Sequence, residues 1–286
     1  MKIALIGGSG YIGRFLLKRF AQEQDIEVLT FGRSPSCDCF FELSRAEEFD
    51  FSALDGVDLV VFTAAISGPD ECARDFERCW AINVTGTSIF IREAIGRGCR
   101  VLFFSSDAVF GDIPGAIYDE HSETRAVTPY GRMKKAVEDA FRDEPGFKAI
   151  RLSYVASARD RFVSYCLDCI RKDSAAEVFH PFYRNCIAVS DVVDTVVWFI
   201  RNWDLYDWFV LNVAGNELVS RVRIADELNR CLGNRLKYTV IQPNAAFYLN
   251  RPAITQMRSL YRDRLGIYKN NTFTEKIQKE LEDISL

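Results

Sequence analysis

Tyr130-Gly131-Arg132-Met133-Lys134 places a phenol and an ammonium at i and i+4, directly after Thr128-Pro129. That pair suits a helix start with Pro in the first turn. On a helix the two side chains share a face and come within reach of each other. A nearby ammonium favours phenolate and lowers a tyrosine pKa from about 10. Tyr130 could then protonate a carbonyl being reduced, or act as base toward an alcohol being oxidised. Ser105-Ser106-Asp107 closes the apolar run Val101–Phe104, and Ser106 precedes Tyr130 by 24 residues (130 minus 106). In an open parallel sheet the carboxyl ends of strands line the ligand crevice, which is where such a hydroxyl would act.

A third constellation opens the chain. Gly7-Gly8-Ser9-Gly10-Tyr11-Ile12-Gly13 follows the apolar run Ile3–Ile6. A strand running into glycines at 7, 10 and 13, with a helix pattern from Tyr11, has the logic of a dinucleotide-binding turn. The glycines permit the tight turn and let backbone amides approach a pyrophosphate on the positive end of the helix. The second strand then ends Thr30-Phe31-Gly32-Arg33-Ser34, and Arg33 falls 20 residues after Gly13 (33 minus 13). Sites for NAD tend to put a carboxylate there, on the ribose 2′-OH. The sequence at that tip holds no carboxylate, and an arginine pairs well with a 2′-phosphate, so NADPH is the expected cofactor.

These residues need a scaffold of alternating strands and helices. Ile3–Ile6, Glu27–Phe31, Cys39–Leu43, Asp58–Phe62, Val101–Phe104 and Ala149–Leu152 read as strands. Tyr11–Gln24, the long stretch Cys72–Arg97 and Tyr130–Arg142 read as helices. The expected fold class is α/β, a Rossmann-type doubly wound parallel sheet with a smaller interleaved C-terminal lobe. The boundaries expected are 1–157 for the nucleotide-binding domain, completed by about 186–215, with about 158–185 and 216–286 forming the substrate lobe. There Arg161–Arg171, Asp191–Arg201 and Val222–Cys231 look helical, Val178–Ile187 extended and Phe209–Val213 a strand. The tail from Phe247 to Leu286 is mixed and increasingly charged.

Composition bounds the function. Of 286 residues 48% are apolar and 27% charged, with a net charge of −4, an ordinary globular balance. There is no basic footprint for nucleic acid or an anionic membrane, and no apolar stretch of the ~20 residues a spanning helix needs. Met1–Ile6 is too short for a signal-peptide core, and nine scattered cysteines read as reduced thiols of a cytoplasmic protein. Cys37-x-Cys39 and Cys166-x-x-Cys169 lack a partner pair at ligand spacing, so no metal is expected.

The glycine turn, the strand-end serine and Tyr-x-x-x-Lys, in that order, resemble the short-chain dehydrogenase/reductase superfamily in its extended, NAD-dependent epimerase/dehydratase branch. Asn83-Val84-Thr85-Gly86-Thr87, Tyr118-x-Glu120 and Pro129-Tyr130-Gly131 extend the likeness. Ser105–Phe110 is similar to the Ser-Thr-Asp-Tyr-Val-Phe of dTDP-4-dehydrorhamnose reductase-like enzymes, with Ser106 for Thr and Ala108 for Tyr. Arg184-Asn185-x-Ile187-x-Val189-x-Asp191, Asn212–Asn216 and Arg251-Pro252 also look like this branch.

The resemblance implies roles. Tyr130 would be general acid, Lys134 would hold the nicotinamide ribose and tune Tyr130, and Ser106 would bond the reacting oxygen. Gly7, Gly10, Tyr11, Ile12, Gly13, Arg33, Ser34, Thr63, Ala64, Ala65 and Asn83 would line the cofactor, with Glu42 near adenine. Tyr154 would flank nicotinamide or sugar, and Asp107, Arg184, Asn185 and Arg251 would meet a nucleotide-sugar substrate. Asn83 could instead satisfy backbone, Asp191 could cap a helix, and Arg184 and Arg251 could be surface charges. Reduction of the C4 keto group of a 4-keto-6-deoxy sugar is the expected activity. A 4-epimerase holding NAD and a non-catalytic NADP(H)-binding protein stay open; a dehydratase is disfavoured because Ala108 stands where that chemistry needs Glu. Relatives often dimerise through two helices per subunit, which the resemblance places at Asn83–Arg97 and Tyr130–Arg142, and an apolar stripe on either is equally explained by packing on the sheet.

Overall fold

The structure, a computed structural model, describes residues 1–269 and 271–282. The chain divides into two compact units. One comprises 1–111, 123–151 and 195–211, and the other 112–122, 152–194 and 212–286.

The first unit is built on a seven-stranded sheet. Its strands are β1 (Lys2–Ile6), β2 (Glu27–Gly32), β3 (Cys39–Phe40), β4 (Leu59–Phe62), β5 (Arg100–Ser106), β6 (Phe147–Leu152) and β7 (Val210–Val213). They lie in the order β7-β6-β5-β4-β1-β2-β3. Pairs β1–β2, β1–β4, β4–β5 and β2–β3 run parallel, with Leu5 opposite both Thr30 and Val61. The chain winds outward from β1 in one direction, then returns and winds the other way from β4. That reversal opens a crevice beyond the carboxyl ends of β1 and β4. Strand β4 is buried along its whole length, as its unbroken apolar run requires, and β6 is equally buried although Lys148 and Arg151 interrupt its apolar residues.

The connecting helices in this unit are α1 (Tyr11–Phe20), α2 (Pro69–Arg74), α3 (Phe76–Trp80), α4 (Thr87–Gly96) and α5 (Pro129–Phe141). Aromatic packing clamps α4 to the sheet. Phe90 meets Phe31, Phe41, Phe51 and Phe62 with ring centroids 4.9–5.9 Å apart, mostly edge to face. Each such ring taken from water contributes roughly 1.5–3 kcal/mol, before the specific geometry adds more. The apolar faces of α4 and α5, including Ile91, Ala94, Val137 and Phe141, lie in this same core.

Helix α5 is also held by charge. Glu138 and Arg151 are 2% and 3% exposed and bond at 2.6 Å, while Ser105 of β5 donates to Glu138 at 2.5 Å. The Arg151 guanidinium lies over the Phe110 ring at 5.0 Å.

The second unit carries a four-stranded sheet in the order Val219–Ser220, Tyr183–Arg184, Ile254–Met257, Ile117–Tyr118. Ala176–Phe179 pairs in parallel with Tyr238–Ile241, and Val155–Ala156 with Ile187–Ala188. The helices Arg161–Arg171, Arg221–Cys231 and Phe273–Leu281 bury Phe162, Cys166, Leu228 and Ile277 in one cluster. Lys276 pairs with Asp191, and Glu280 accepts from the Ser190 amide, tying the last helix down.

Several elements differ from the sequence expectation. The helix expected over Cys72–Arg97 is broken at Asp75, whose φ/ψ of −128°/61° is not helical, and Ala81–Gly86 forms a π-helical turn. The buried Asn83 side chain within that turn bonds the Ile66 backbone, which explains a bulge at that point. The first helix stops at Phe20 rather than Gln24. The third strand ends at Phe40, because a 3₁₀ turn starts at Leu43. The stretch 178–187 resolves into three short strands. Residues 112–122, expected in the first domain, belong to the second because Ile117–Tyr118 pairs with Gln256–Met257. Residues 270 and 283–286 of the tail lie outside the described residues. Among the described residues no helix is long and apolar enough to cross a membrane.

The Glu138–Arg151 pair generates a stability prediction. Arg151→Met leaves a buried carboxylate uncompensated and should cost about 3–5 kcal/mol, whereas Glu138→Met combined with Arg151→Met should recover most of that loss. Urea denaturation of the three proteins checks it; a double variant as unstable as the single one would contradict it.

Candidate active site

The site residues of the first unit lie at the carboxyl ends of its strands. Gly7 follows β1 with φ +92°, a backbone conformation that favours glycine. A Cβ on Gly7 would meet Thr63 Oγ1 at 2.8 Å and the Ala64 amide nitrogen at 3.0 Å. Thr63 in turn donates to the Ile6 carbonyl at 2.8 Å, so the tips of β1 and β4 are locked together. A Cβ on Gly13 would lie 2.3 Å from the Gly7 carbonyl oxygen, which lets α1 seat its first turn directly on the loop.

Helix α1 begins at Gly10 without a side-chain cap and with no acidic residue in its first turn. Around Gly10 a Cβ would meet only the Gly7 oxygen, at 3.1 Å. The loop therefore has a bare positive helix end and open space above it. These features fit a pyrophosphate. Tyr11 packs edge to face on Phe15 at 5.8 Å, and Tyr11, Ile12, Ala64 and Ala65 are half-buried.

At the tip of β2, Arg33 is 76% exposed and stands 3.9 Å from Glu42, a long ion pair. The sequence reading saw no carboxylate at this tip; the fold brings Glu42 there from beyond β3. Asp38 is occupied elsewhere, accepting the Thr30 amide and hydroxyl at 2.8 and 2.6 Å. Those bonds hold its carboxyl below the usual range. Ser34 shares a hydroxyl bond of 2.8 Å with Ser36.

The Tyr130 constellation is assembled by one close approach. A Cβ on Gly131 would meet the Ala108 carbonyl oxygen at 2.0 Å, so α5 packs backbone to backbone on the turn Asp107–Val109. Thr128 caps α5 through the Gly131 amide at 3.2 Å. Ser106 caps the Asp107 turn, accepting the Ala108 amide at 3.2 Å and donating to Asp107 at 3.1 Å. Half-buried Tyr130 packs with Cys72, Cys79, Met133 and Trp80. Lys134, 3% exposed, donates to the Phe104 carbonyl at 2.6 Å. Its Nζ lies 4.4 Å from the Phe103 ring centroid and 5.8 Å from that of Tyr130.

The electrostatics correct one expectation. Burial pushes the Tyr130 hydroxyl well above its ordinary value, and charge on Cys72 and Asp107 pushes it further. Burial also lowers Lys134 to about 7, against the opposing pull of Glu138 and Cys72. Desolvation thus outweighs the expected lowering of the phenol by the ammonium. Tyr130 holds its proton throughout the neutral range, as a proton donor must.

Asn83, 2% exposed, accepts from the Ile66 amide and donates to the Ile66 carbonyl, both at 2.8 Å, and donates to Met133 Sδ at 3.5 Å. It fixes the segment after β4 to α5, so its side chain satisfies backbone.

The remaining expected residues lie in the second unit. The Tyr154 hydroxyl donates to Asp160 at 2.5 Å, and its ring shares a small hollow with Arg184. Arg184 donates to the carbonyls of Tyr183, Ala253 and Pro252 at 2.6, 3.4 and 2.8 Å. Asn185 accepts the Met257 amide at 2.9 Å, and Arg251 donates to the Phe247 carbonyl at 3.1 Å and stacks on its ring. All three hold the segment 247–257. Cys166 and Cys169 are buried free thiols.

Sequence reasoning missed Gly131, Glu138 and Cys72. A glycine inside a helix pattern and a Glu one turn beyond Lys134 were both legible signals; Cys72 carried none.

The sheet order, with its reversal between β1 and β4, defines a doubly wound α/β protein. The chain belongs to the family described as RmlD substrate binding domain, whose profile matches residues 1–286. It is 27% identical over 215 residues to a dTDP-4-dehydrorhamnose reductase of Salmonella typhimurium, covering 70% of this chain and 67% of that one. It is 28% identical over 168 residues to a UDP-glucose 4-epimerase of Streptomyces lividans, covering 54% and 51%. The chain spans about half the length of most curated relatives it matches. A dTDP-4-dehydrorhamnose reductase of Bacillus anthracis, solved with NADP, superposes with a TM-score of 0.86 at 15% identity, covering 99% and 98% of the chains. A UDP-glucose 4-epimerase of Thermotoga maritima, solved with UDP-glucose, gives 0.81 at 17%, with the same coverage. At these identities the likeness to solved structures is one of fold.

Lys134 generates a pH prediction. Its folded pKa of about 7 lies below the ordinary 10.5, so between these values the unfolded chain binds the proton that the folded chain has lost. Stability from this group therefore rises with pH across that window, and the burial penalty is complete below pH 7. Lys134→Met should be about 1–3 kcal/mol more stable than wild type at pH 6, with the gap closing toward pH 10. Urea midpoints at pH 6, 8 and 9.5 check this; a constant gap would count against it.

Proposed function

We propose that the chain is an NADPH-dependent reductase acting on the C4 keto group of a nucleotide-activated 4-keto-6-deoxyhexose, with Tyr130 as general acid. The observation that carries this reading is Tyr130 held by Gly131 beside the Ser106–Asp107 turn, with Lys134 one helical turn along. Ser106 Oγ would turn its hydroxyl from Asp107 to the carbonyl oxygen, and Tyr130 transfers its proton to that oxygen as the alcohol forms. Lys134 stabilises the phenolate left behind. A bound dihydronicotinamide would supply the hydride and its electron pair to the carbonyl carbon. Gly7, Gly10 and Gly13 would hold the pyrophosphate on the end of α1, with Thr63, Ala64 and Ala65 alongside. Arg33 and Ser34 would take the 2′-phosphate and Glu42 the adenosine end.

Family membership and relatives named as reductases of a nucleotide sugar support the substrate class. A second reading, a 4-epimerase holding NAD, draws on Glu42, a carboxylate near the place where a ribose 2′-OH is bound. A non-catalytic NADP(H)-binding protein is the third.

Titration with NADPH and NADH on wild type and Arg33→Ala separates the first two. The reductase reading expects NADPH preferred by roughly 10- to 100-fold, with the preference collapsing in Arg33→Ala. NAD retained through purification with no effect at Arg33 would favour the epimerase. Tyr130→Phe should lower turnover about 10²- to 10⁴-fold while leaving NADPH affinity within about twofold. A Tyr130→Phe protein as active as wild type would remove Tyr130 from the chemistry.

A further inference from the structure

Three of the four residues that the resemblance assigns to the substrate in the second unit are spent on the backbone: Arg184 on three carbonyls, Asn185 on the Met257 amide and Arg251 on the Phe247 carbonyl. Beside them stands an arginine that no motif marked. Arg221 opens the helix Arg221–Cys231, its own amide bonded to the Phe182 carbonyl at 3.2 Å. Its guanidinium lies 4.4 Å from the Phe162 ring centroid, 5.0 Å from that of Tyr154 and 5.3 Å from that of Phe182. Among the described residues its guanidinium makes no hydrogen bond and no ion pair.

Three rings fix this guanidinium yet cannot accept its in-plane N–H donors. The rotamer freedom such a side chain gives up on binding is already restricted here, which favours affinity. Arg221 and Arg184 line one hollow with Tyr154, Phe182 and Cys186, and no carboxylate lines it. Its room, about 10 Å³, is that of a single oxygen-sized group. A fixed cation with free donors at such a hollow matches one oxygen of an oxyanion.

We propose that Arg221 seats a phosphoryl oxygen of the substrate's nucleoside diphosphate, a role that rests on the nucleotide-sugar reading above. Arg184 shapes the hollow and adds positive potential, while Arg221 makes the bond.

Calorimetric titration of the full chain with dTDP, UDP and inorganic pyrophosphate tests this, on wild type, Arg221→Met and Arg221→Lys. Arg221→Met should bind the nucleoside diphosphate roughly 10- to 100-fold more weakly, with Arg221→Lys recovering part of the loss. NADPH affinity should be unchanged in all three, showing that the first unit is intact. If Arg221→Met does not melt cooperatively, Arg221→Lys decides, with about a tenfold loss expected. Variants that bind the diphosphate within twofold of wild type overturn the role of Arg221 and leave the reductase reading standing. Pyrophosphate binding as tight as that of dTDP or UDP overturns the assignment to substrate. A wild type that binds neither nucleotide overturns the nucleotide-sugar reading and this role with it.

Discussion

Everything proposed for Tyr130 depends on the contact between Gly131 and the Ala108 carbonyl. At 2.0 Å from that oxygen no Cβ can stand, so the first turn of α5 is pressed against the turn that ends β5. Glycine inside a helix costs about 1 kcal/mol relative to alanine. Here it brings a phenol to the end of a central strand, beside Ser106 and Asp107. The other half of α5 is fixed by Glu138, which takes hydrogen bonds from Ser105 and Arg151. Tyr130, Lys134 and Glu138, spaced by four, thus make one stripe that runs from chemistry to scaffold. A site carried on a helix clamped at both ends is more rigid than one carried on a loop.

The same burial that fixes this stripe sets its protonation. Lys134 and Tyr130 are both pushed toward their uncharged forms, the ammonium downward and the phenol upward. The Phe104 carbonyl and the Phe103 ring offset only part of the cost of burying the ammonium. A phenol that keeps its proton at neutral pH is available as an acid, one that burial makes weaker, and Lys134 stabilises the phenolate left behind only in its protonated form, which is present below about pH 7. The structure keeps this pair at some expense to stability, which is typical where function and packing compete.

How much of this was legible beforehand follows from the kind of interaction involved. Strands β1, β4 and β5 are continuous apolar runs, and the glycine turn is local, so the sheet and its switch point could be read directly. The break at Asp75 and the π-helical turn could not, because they depend on Asn83 reaching the Ile66 backbone 17 residues away. Glu42 arrives beside Arg33 only through the pairing of β2 with β3. The direction of the tyrosine shift was misread for a related reason. Spacing of four shows that Lys134 is near, but only the fold shows that Lys134 is buried and Tyr130 half-buried.

The two units differ in how far a motif predicts a role. In the first, the glycines of the motifs act through backbone geometry, which is what glycines and strand ends encode. In the second, Arg184, Asn185 and Arg251 keep the pattern of relatives while their polar atoms hold the segment 247–257 in place. An arginine inside a motif can thus serve the scaffold, and an arginine outside any motif can be the one with donors to spare. Arg221 is recognisable only because Phe162, Tyr154 and Phe182, from three separate stretches of chain, converge on it. On the proposed reading, ligand selectivity in this unit follows from which cations the fold leaves unspent, a property of the packed structure and not of the motif.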